Sequence, residues 1–251
     1  MNHFAKSALS VLIVSLTSAQ ADMLQISAGA GVWQAEPAGS LRYEESDYWM
    51  SAEDQLGYEA EKMPYLWVDL KHDIPFAPNL RLEYTRVTYE GYTQGLINWW
   101  GWNLYLNDSA WSEMAVNEYD AVLYYNLFET FGLSLDAGLD LKYVKARYMI
   151  RDDYGVGASY DETGYFVLPQ GYARLRADIP MTGIGLEGDI KYIEGGDSYI
   201  YDTRIKLDYT FRGFGIEAGY RKQRIWINED DYSTKVDVDA DGFYMGATVR
   251  F

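Results

Sequence analysis

The charged residues of this sequence, which could serve as acids, bases or ion-pair partners, recur at every second position. The stretch LSLDAGLDLKY, residues 133–143, has Leu, Ala or Tyr at every odd position and places Asp136, Asp140 and Lys142 at even positions. Because two is the side-chain period of a strand, the acids and the lysine share one face and the leucines share the other. This pattern fits a half-buried strand of a soluble sheet, and it also fits a membrane strand with lipid outside and a polar lumen inside.

The same alternation in the other predicted strands places similar numbers of acids and bases on one inward face. The inward acids are predicted to be Asp69, Glu83, Asp120, Asp136, Asp140, Asp178, Glu187, Asp189, Asp202, Asp208 and Glu217. The inward bases are predicted to be Lys71, Arg81, Lys142, Arg174, Arg176, Lys191, Arg204, Lys206, Arg212 and Arg221. Charged groups that are removed from bulk water must be paired, so this balance predicts ion pairs across a narrow interior.

The sequence contains two His, and each is a candidate for general acid–base catalysis. His3 belongs to a segment that is predicted to be removed, and His72 lies at a predicted short turn. A general base must lie within hydrogen-bond reach of its proton, so His72 cannot serve a site at the opposite rim of a barrel. A Ser-His hydrolase is disfavoured for the same reason. We therefore predict no catalytic residue, although a carboxylate pair of the glycosidase type stays open.

One acidic stretch partly matches a calcium-binding pattern. DVDADG, residues 237–242, places Asp237, Asp239 and Asp241 before Gly242, but the pattern needs a Glu six residues after the Gly, where Thr248 stands. We therefore interpret the stretch as an acidic strand end and predict neither a metal site nor a cofactor. Loop acids could hold divalent ions loosely beside lipopolysaccharide or simply be solvated. These loop acids are Glu44, Glu45, Asp47, Asp230 and Asp231.

The N-terminal segment predicts export from the cytoplasm. It has one basic residue, Lys6, then an apolar run over residues 8–16 and the small-residue sequence Ala19-Gln20-Ala21. This order is typical of a cleavable signal peptide, and the apolar run is far shorter than the ~20 residues of a membrane-spanning helix. We predict cleavage after Ala21, which leaves residues 22–251 as a single all-β domain.

The composition excludes several classes of protein and of partner. The chain has no Cys, which excludes disulfides, thiolate-bound metals and a lipoprotein anchor. The formal net charge is −17, and removal of Lys6 takes it to −18, which argues against nucleic acid and against anionic lipid as electrostatic partners. The 24 Tyr and 8 Trp suit strands and also membrane interfaces.

Alternating segments recur along the chain, and many are near the 9–11 residues of a tilted membrane strand. They are residues 24–33, 65–72, 80–89, 118–128, 133–143, 171–179, 184–192, 198–212, 214–223 and 242–251. The connections at one end are short (73–79, 129–132, 180–183 and 212–214), and those at the other end are mostly long and polar (36–62, 93–113, 150–163, 194–198 and 229–240). This sorting is typical of outer-membrane barrels, whose short turns face the periplasm. We predict an all-β fold, a transmembrane antiparallel up-and-down β-barrel of about ten strands, with eight or twelve as alternatives.

Two short resemblances support this fold. The last segment, GFYMGATVRF, ends in Phe251 and resembles the C-terminal signal of Gram-negative outer-membrane barrels, which the barrel assembly machinery reads. The stretches GAGVWQAEPAG (29–39) and YIEGGDS (192–198) resemble a family of small proteobacterial outer-membrane proteins named for a Gly-Gly pair. The second resemblance covers essentially the whole chain after the signal peptide. It implies a barrel in the cell outer membrane, and it brings no established activity and no site residues.

The segment INWWGWNLYL, residues 97–106, is an unusual loop prediction because it is rich in aromatic residues. Trp99, Trp100, Trp102 and Tyr105 could anchor in the outer leaflet or contact a partner. In the alternative interpretation, the strands extend past the membrane and these rings pack within a hairpin. Both interpretations stay open.

The sequence leads to a functional expectation with two alternatives. A barrel of about ten strands that is filled with paired charges should not conduct freely, because open pores need about sixteen strands. We therefore expect a structural or surface-interaction protein, without enzymatic activity, whose partners are outer-membrane lipid and lipopolysaccharide and the barrel assembly machinery through Phe251. The first alternative is a narrow channel for a small or apolar solute, and the second is an outer-membrane enzyme of unrecognised type. The packing of the lumen separates a plugged barrel from a channel.

Overall fold

The structure is a computed structural model of the chain, and it describes residues 24–43, 49–51, 57–99, 102–152, 160–227 and 234–251. Some predictions concern residues outside this part of the chain. They are the signal peptide (1–21), Trp100 and the loop acids Glu44, Glu45, Asp47, Asp230 and Asp231.

The described residues form eleven β-strands, of which ten close into a barrel. The strands are β1 (Leu24–Tyr43), β2 (Trp49–Ser51), β3 (Glu61–His72), β4 (Asn79–Trp99), β5 (Trp102–Thr130), β6 (Leu133–Asp152), β7 (Tyr160–Ile179), β8 (Ile184–Gly195), β9 (Ser198–Phe211), β10 (Phe214–Ile227) and β11 (Thr234–Arg250). Each long strand pairs antiparallel with the next, β11 pairs with β1, and the short β2 pairs with β1 alone. The predicted all-β, ten-stranded up-and-down barrel is therefore confirmed. None of the described residues belongs to a helix long and apolar enough to cross a membrane.

The two ends of the barrel differ in how the strands are joined. The short-turn end carries the turns at 73–78, 131–132, 180–183 and 212–213, together with Leu24 and Phe251. At this end Phe251 closes the seam, since its amide donates to the Ile26 carbonyl at 2.8 Å and its carbonyl accepts from the Ile26 amide at 3.3 Å. We call the opposite end the long-strand end, because several strands continue there well beyond the others.

A turn explains why one prediction of an inward-facing base was wrong. Arg212, predicted to face inward, forms the β9–β10 turn with Gly213, and their φ angles are 50° and 83°. A two-residue hairpin of this kind needs positive φ at both positions, which interrupts the alternation of faces at the end of β9. The Arg212 side chain is exposed, and its guanidinium lies 5.2 Å from the centre of the Phe211 ring.

Several predicted long loops are in fact strands. β4 and β5 pair as far as Trp99 and Trp102, β6 and β7 pair as far as Ile150 and Tyr160, and β8 and β9 are joined by a tight turn at residues 196–197. The loop predictions for residues 93–113, 150–163 and 194–198 were therefore too long. Beyond the apolar part of a barrel neither face of a strand contacts lipid, so the two-residue pattern that reveals a membrane strand is lost.

The wall of the barrel is interrupted in two places towards the long-strand end. β3 pairs with β4 only over Tyr65–Leu70, and β7 pairs with β8 only over Gly171–Ile179. Each pairing stops close to a proline, Pro64 on β3 and Pro169 on β7, which has no amide hydrogen to donate. Beyond these points the barrel continues as two separate sheets, β4–β7 on one side and β8–β11 with β1 and β3 on the other.

The outer face of the barrel carries a continuous apolar band. Leu139 is 68% exposed while its neighbour Asp140 is 1% exposed, as the alternation predicts. The other strands show the same division. Exposed residues of the band include Leu66, Leu82, Leu123, Leu141, Leu175, Leu186, Leu207, Ile216 and Met245.

Aromatic residues border the apolar band at both of its edges. Towards the long-strand end, Tyr84, Tyr119, Tyr143 and Tyr165 form a ladder across β4–β7, with successive ring centroids 5.0, 5.9 and 6.4 Å apart. The short-turn end exposes Phe76, Phe131, Phe211, Phe214 and Phe251. On β6 the band runs from Leu133 to Tyr143, which is about 25 Å at a rise of about 3.3 Å per residue and a tilt of about 40°. This height and these aromatic borders are typical of a membrane-spanning barrel.

Candidate functional site

The candidate functional site is the lumen, into which alternate residues of the barrel strands project. Its centre is built on Arg81 and Glu83 of β4, both nearly fully buried. Arg81 donates to Glu83, and Glu83 also binds Lys191 at 2.8 Å and Arg204 at 2.7 Å. Arg204 in turn binds Asp189 at 2.8 Å. Side chains from β4, β8 and β9 thus meet across the lumen, as the balanced charges predict.

A second group of ion pairs lies beside this centre. Lys142 binds Glu118 at 3.1 Å and Asp120 at 3.0 Å, while Arg221 binds Asp202 at 2.7 Å and Glu118 at 3.4 Å. Lys191 reaches Asp120 at 3.0 Å and so joins the two groups. Glu118 was missed in the sequence analysis, although it lies two residues before Asp120 and therefore on the same face. Extending the alternation by one step would have found it.

A third group lies towards the short-turn end. Arg174 binds Asp69 and Asp136, each at 2.6 Å. Arg176 binds Asp178 and Asp208 at 2.6 Å and Glu187 at 3.2 Å, and Lys206 binds Glu187 at 2.9 Å and Glu217 at 3.4 Å. Asp178 and Lys71 were predicted to face inward and lie at the mouth of the barrel, where Asp178 is exposed and Lys71 half-buried. The remaining predicted lumenal charges, Arg212 apart, lie inside the barrel.

Aromatic rings cover some of the cations in the lumen. The guanidinium of Arg81 lies 4.7 Å from the centre of the Trp67 ring, and the same distance separates Arg221 from Trp33. These contacts replace part of the hydration that a buried cation loses. The alternation places both tryptophans on the inward face, but it does not show which cation each ring covers.

Towards the long-strand end the lumen is closed by apolar and aromatic side chains. The buried cluster consists of Trp33, Ala35, Tyr58, Met63, Val87, Tyr89 and Tyr244. Tyr58 comes from the connection between β2 and β3, and its ring stacks on Tyr89 with centroids 5.9 Å apart. This connection also covers the first wall interruption, since Gly57 lies against the backbone of Tyr92 on β4.

In the part of the barrel that the structure describes, the lumen opens to the outside at its short-turn end. A polar cavity of about 450 Å³ lies at that mouth, and Asp69, Arg174, Arg176 and Lys206 are among its lining residues. Deeper in the barrel, a cavity of about 20 Å³ lies beside Trp33 and Arg81. That volume is close to what one water molecule requires. From the short-turn end inward, the lumen is therefore first a polar cavity, then a region filled by ion pairs, and then a region filled by aromatic side chains.

His72 is the last residue of β3, beside the short β3–β4 turn at which the sequence analysis places it. The Ile74 amide donates to its Nδ1 at 3.2 Å, so Nδ1 is an acceptor and Nε2 donates to the Pro78 carbonyl at 3.0 Å. The His72 amide donates to the side chain of Asn79 at 2.9 Å. Both ring nitrogens are therefore engaged in holding the turn.

The acidic stretch at the start of β11 is bound by other side chains. Arg224 binds Asp237 at 2.9 Å and lies 3.7 Å from Asp239, and the Tyr220 hydroxyl donates to Asp241. Thr248, which stands where the calcium pattern needs a Glu, lies near the other end of the same strand. Among the described residues, no group of three or more His, Cys, Asp or Glu side chains is arranged to hold a metal ion.

The aromatic segment of residues 97–106 is an extended hairpin in its backbone. Ile97 pairs with Leu104, and Trp99 pairs with Trp102. The strands therefore extend beyond the apolar band, as one of the two interpretations supposes. Trp100 and the side chains of Trp99, Trp102 and Tyr105 lie outside the part of the chain that the structure describes.

Comparison with known proteins identifies the fold. No protein-family model matches the sequence, and no curated protein matches it significantly. Among solved structures, the chain is similar to the outer membrane protease OmpT from Escherichia coli, with a TM-score of 0.56 and 11% identity over 92% of this chain and 97% of that one. It is also similar to the translocator domain of the autotransporter NalP from Neisseria meningitidis (TM-score 0.46, 13% identity, 99% and 95% covered) and to Ail, the attachment invasion locus protein of Yersinia pestis (0.38, 12%, 90% and 98%). The likeness to OmpT establishes a shared barrel fold.

Proposed function

We propose that this protein is a non-conducting barrel of the Gram-negative outer membrane, with a structural or surface-interaction role and no catalytic site. The observation that carries the proposal is the network of ion pairs through Arg81, Glu83, Lys191 and Arg204, which joins opposite walls of the lumen. Each charge in it has at least one partner, which is the condition for keeping such groups away from bulk water. A solute would have to break several of these pairs to pass.

Three observations support the outer-membrane location. The apolar band is about 25 Å high with aromatic borders, the barrel has the fold of OmpT, and the short turns lie at the same end as both described termini. We assign the short-turn end to the periplasm and the long-strand end to the cell exterior. The cleavable signal peptide over residues 1–21 and the reading of Phe251 by the barrel assembly machinery are part of the same proposal.

The surface-interaction role rests on the height of the extracellular wall. β4 continues from Tyr84 to Trp99 and β5 begins at Trp102, so this wall rises on the order of 40 Å above the tyrosine ladder. A filled barrel below such a wall serves as a rigid base for it. The Gly-Gly family resemblance fits the same location: Gly195 ends β8 and Gly196 begins the β8–β9 turn, with a φ of 59°.

Single-channel recording in planar lipid bilayers tests the proposal. We expect no stepwise conductance from the wild-type protein. A fourfold variant is the positive control, because it should conduct if the lumen is opened. It carries Trp33→Ala and Tyr89→Ala in the aromatic cluster and Glu83→Ala and Lys191→Ala in the ion-pair network. Stepwise conductance by the wild type would contradict the proposal and favour the alternative of a narrow channel. The 450 Å³ cavity at the periplasmic mouth would then be the entrance of that channel.

A further inference from the structure

The outer face of β4–β6 carries a row of nitrogen donors directly above the tyrosine ladder. Arg86 pairs with Asn117 across β4 and β5, and Asn117 pairs with Lys145 across β5 and β6. One step nearer the membrane on the same faces, Tyr84, Tyr119 and Tyr143 are paired in the same order. The donor row therefore lies just beyond the aromatic border of the apolar band.

The neighbouring side chains hold this row in place and leave its donors outward. The Tyr84 hydroxyl donates to Asn117 Oδ1 at 2.9 Å, so the amide nitrogen of Asn117 remains as a donor. Arg86 Nε donates to the Thr88 hydroxyl at 3.3 Å, and the Lys145 ammonium lies 5.8 Å from the centre of the Tyr165 ring. Each of these contacts leaves hydrogen atoms of the guanidinium or the ammonium free to bind a ligand.

The charge of the row is not compensated within the described part of the chain. Arg86 and Lys145 are exposed and have no carboxylate within ion-pair distance there, whereas Arg147, on the next step outward, is neutralised by Asp161 at 2.6 Å. The nearest acids of the same face on β4 and β5 are Glu90 and Glu113, which pair with each other farther out. In a chain whose net charge is −17, two adjacent free cations on one face are an exception.

We propose that Arg86, Asn117 and Lys145 form a binding site for a phosphate group of an outer-leaflet lipid. Arg86 and Lys145 stand two strands apart, about 10 Å between their backbones, so both long side chains can reach one phosphate between them. The site rests on the proposed membrane placement, because only that placement brings lipid phosphates to the level just above the tyrosine ladder. Guanidinium, ammonium and amide donors together match a phosphate and offer nothing to a cation.

Binding of lipid A to the folded protein in detergent micelles, measured by native mass spectrometry, tests the site. The test variant is Arg86→Ala with Lys145→Ala, and the charge-matched control is Lys62→Ala with Lys222→Ala, which removes two bases from β3 and β10. A second control, Arg147→Ala with Asp161→Ala, removes a neutralised pair from the same face. We expect the test variant to bind bisphosphorylated lipid A about 25-fold more weakly, since each of the two cations contributes about fivefold, and we expect both controls to bind like the wild type.

Three results would overturn the site. They are equal binding by the test variant and the wild type, equal binding of dephosphorylated lipid A by the wild type, and displacement of lipid A by millimolar inorganic phosphate, which would indicate a site for free anions. Heat-modifiable migration after refolding into vesicles is read for every variant. Failure of all variants, including the wild type, to insert would instead overturn the membrane placement itself, while a failed lipid site leaves insertion intact.

Discussion

Leu139 and Asp140 are consecutive residues of β6, yet the first is 68% exposed on the outer face and the second is 1% exposed in the lumen. Leu139→Arg places a charge against hydrocarbon, and we expect it to lower the free energy of unfolding by about 2–4 kcal/mol. A urea titration in lipid vesicles measures this change. A fluorophore at position 139 should also be quenched by lipid-borne quenchers, and one at position 140 should not. Equal quenching at both positions would contradict the strand register.

Substitution of Asp140, the second residue of this pair, is predicted to have a small effect on the free energy of unfolding. Neither carboxyl oxygen of Asp140 has a hydrogen-bond partner among the described residues, and its nearest cation, Lys191, lies 3.9 Å away. Lys191 keeps Glu83 and Asp120 as closer partners. We therefore expect Asp140→Asn to change the free energy of unfolding by less than about 1 kcal/mol, because it removes no made hydrogen bond. A loss above 3 kcal/mol in the same urea titration would show that this carboxylate is essential to the network.

Arg204 is predicted to contribute far more to the free energy of unfolding than an exposed arginine does. Its removal leaves Glu83 with two cations but takes from Asp189 the partner that binds both of its oxygens. We expect Arg204→Ala to cost about 3–5 kcal/mol, as for one partner of a buried pair. The matched control is Arg147→Ala, whose pair with Asp161 is exposed and should contribute below about 1 kcal/mol. Equal urea midpoints for the two variants would contradict a tightly packed lumen.

The sequence predicts those parts of this fold in which one face contacts lipid and the other contacts the lumen. Within the band the alternation identified the strands, their faces and nearly all lumenal charges, Glu118 being missed by one step. It failed for Arg212, where a turn replaces the strand, and beyond the tyrosine ladder, where β4 to β7 continue without an apolar face. The partners within the network, such as Arg204 with Glu83, join residues far apart in sequence, and only the closure of the barrel brings them together.

The C-terminal phenylalanine is predicted to have two separable roles. Its backbone closes the seam with Ile26, while the residue as a whole is 61% exposed. Phe251→Ala keeps the backbone hydrogen bonds and removes the ring, so we expect a lower yield of assembled barrel in cells but normal refolding in detergent. Deletion of Phe251 should reduce both, because it also removes the two hydrogen bonds. Heat-modifiable migration on gels measures the folded fraction, and a normal cellular yield of the alanine variant would contradict recognition of the ring.

The last prediction concerns the second interruption of the wall, between β7 and β8. Over Gly171–Ala177 β7 is paired with β6 on one side and β8 on the other, but beyond Pro169 the strand is paired with β6 alone. We therefore expect slow hydrogen exchange over Gly171–Ala177 and fast exchange for those amides beyond Pro169 that point towards β8, because no described strand pairs with them on that side. Residue-resolved exchange in micelles by NMR makes the measurement, and amides of the same strand that bond to β6 are the internal control. Uniform protection along the whole of β7 would show that the wall is closed at this point and that Pro169 does not end the pairing.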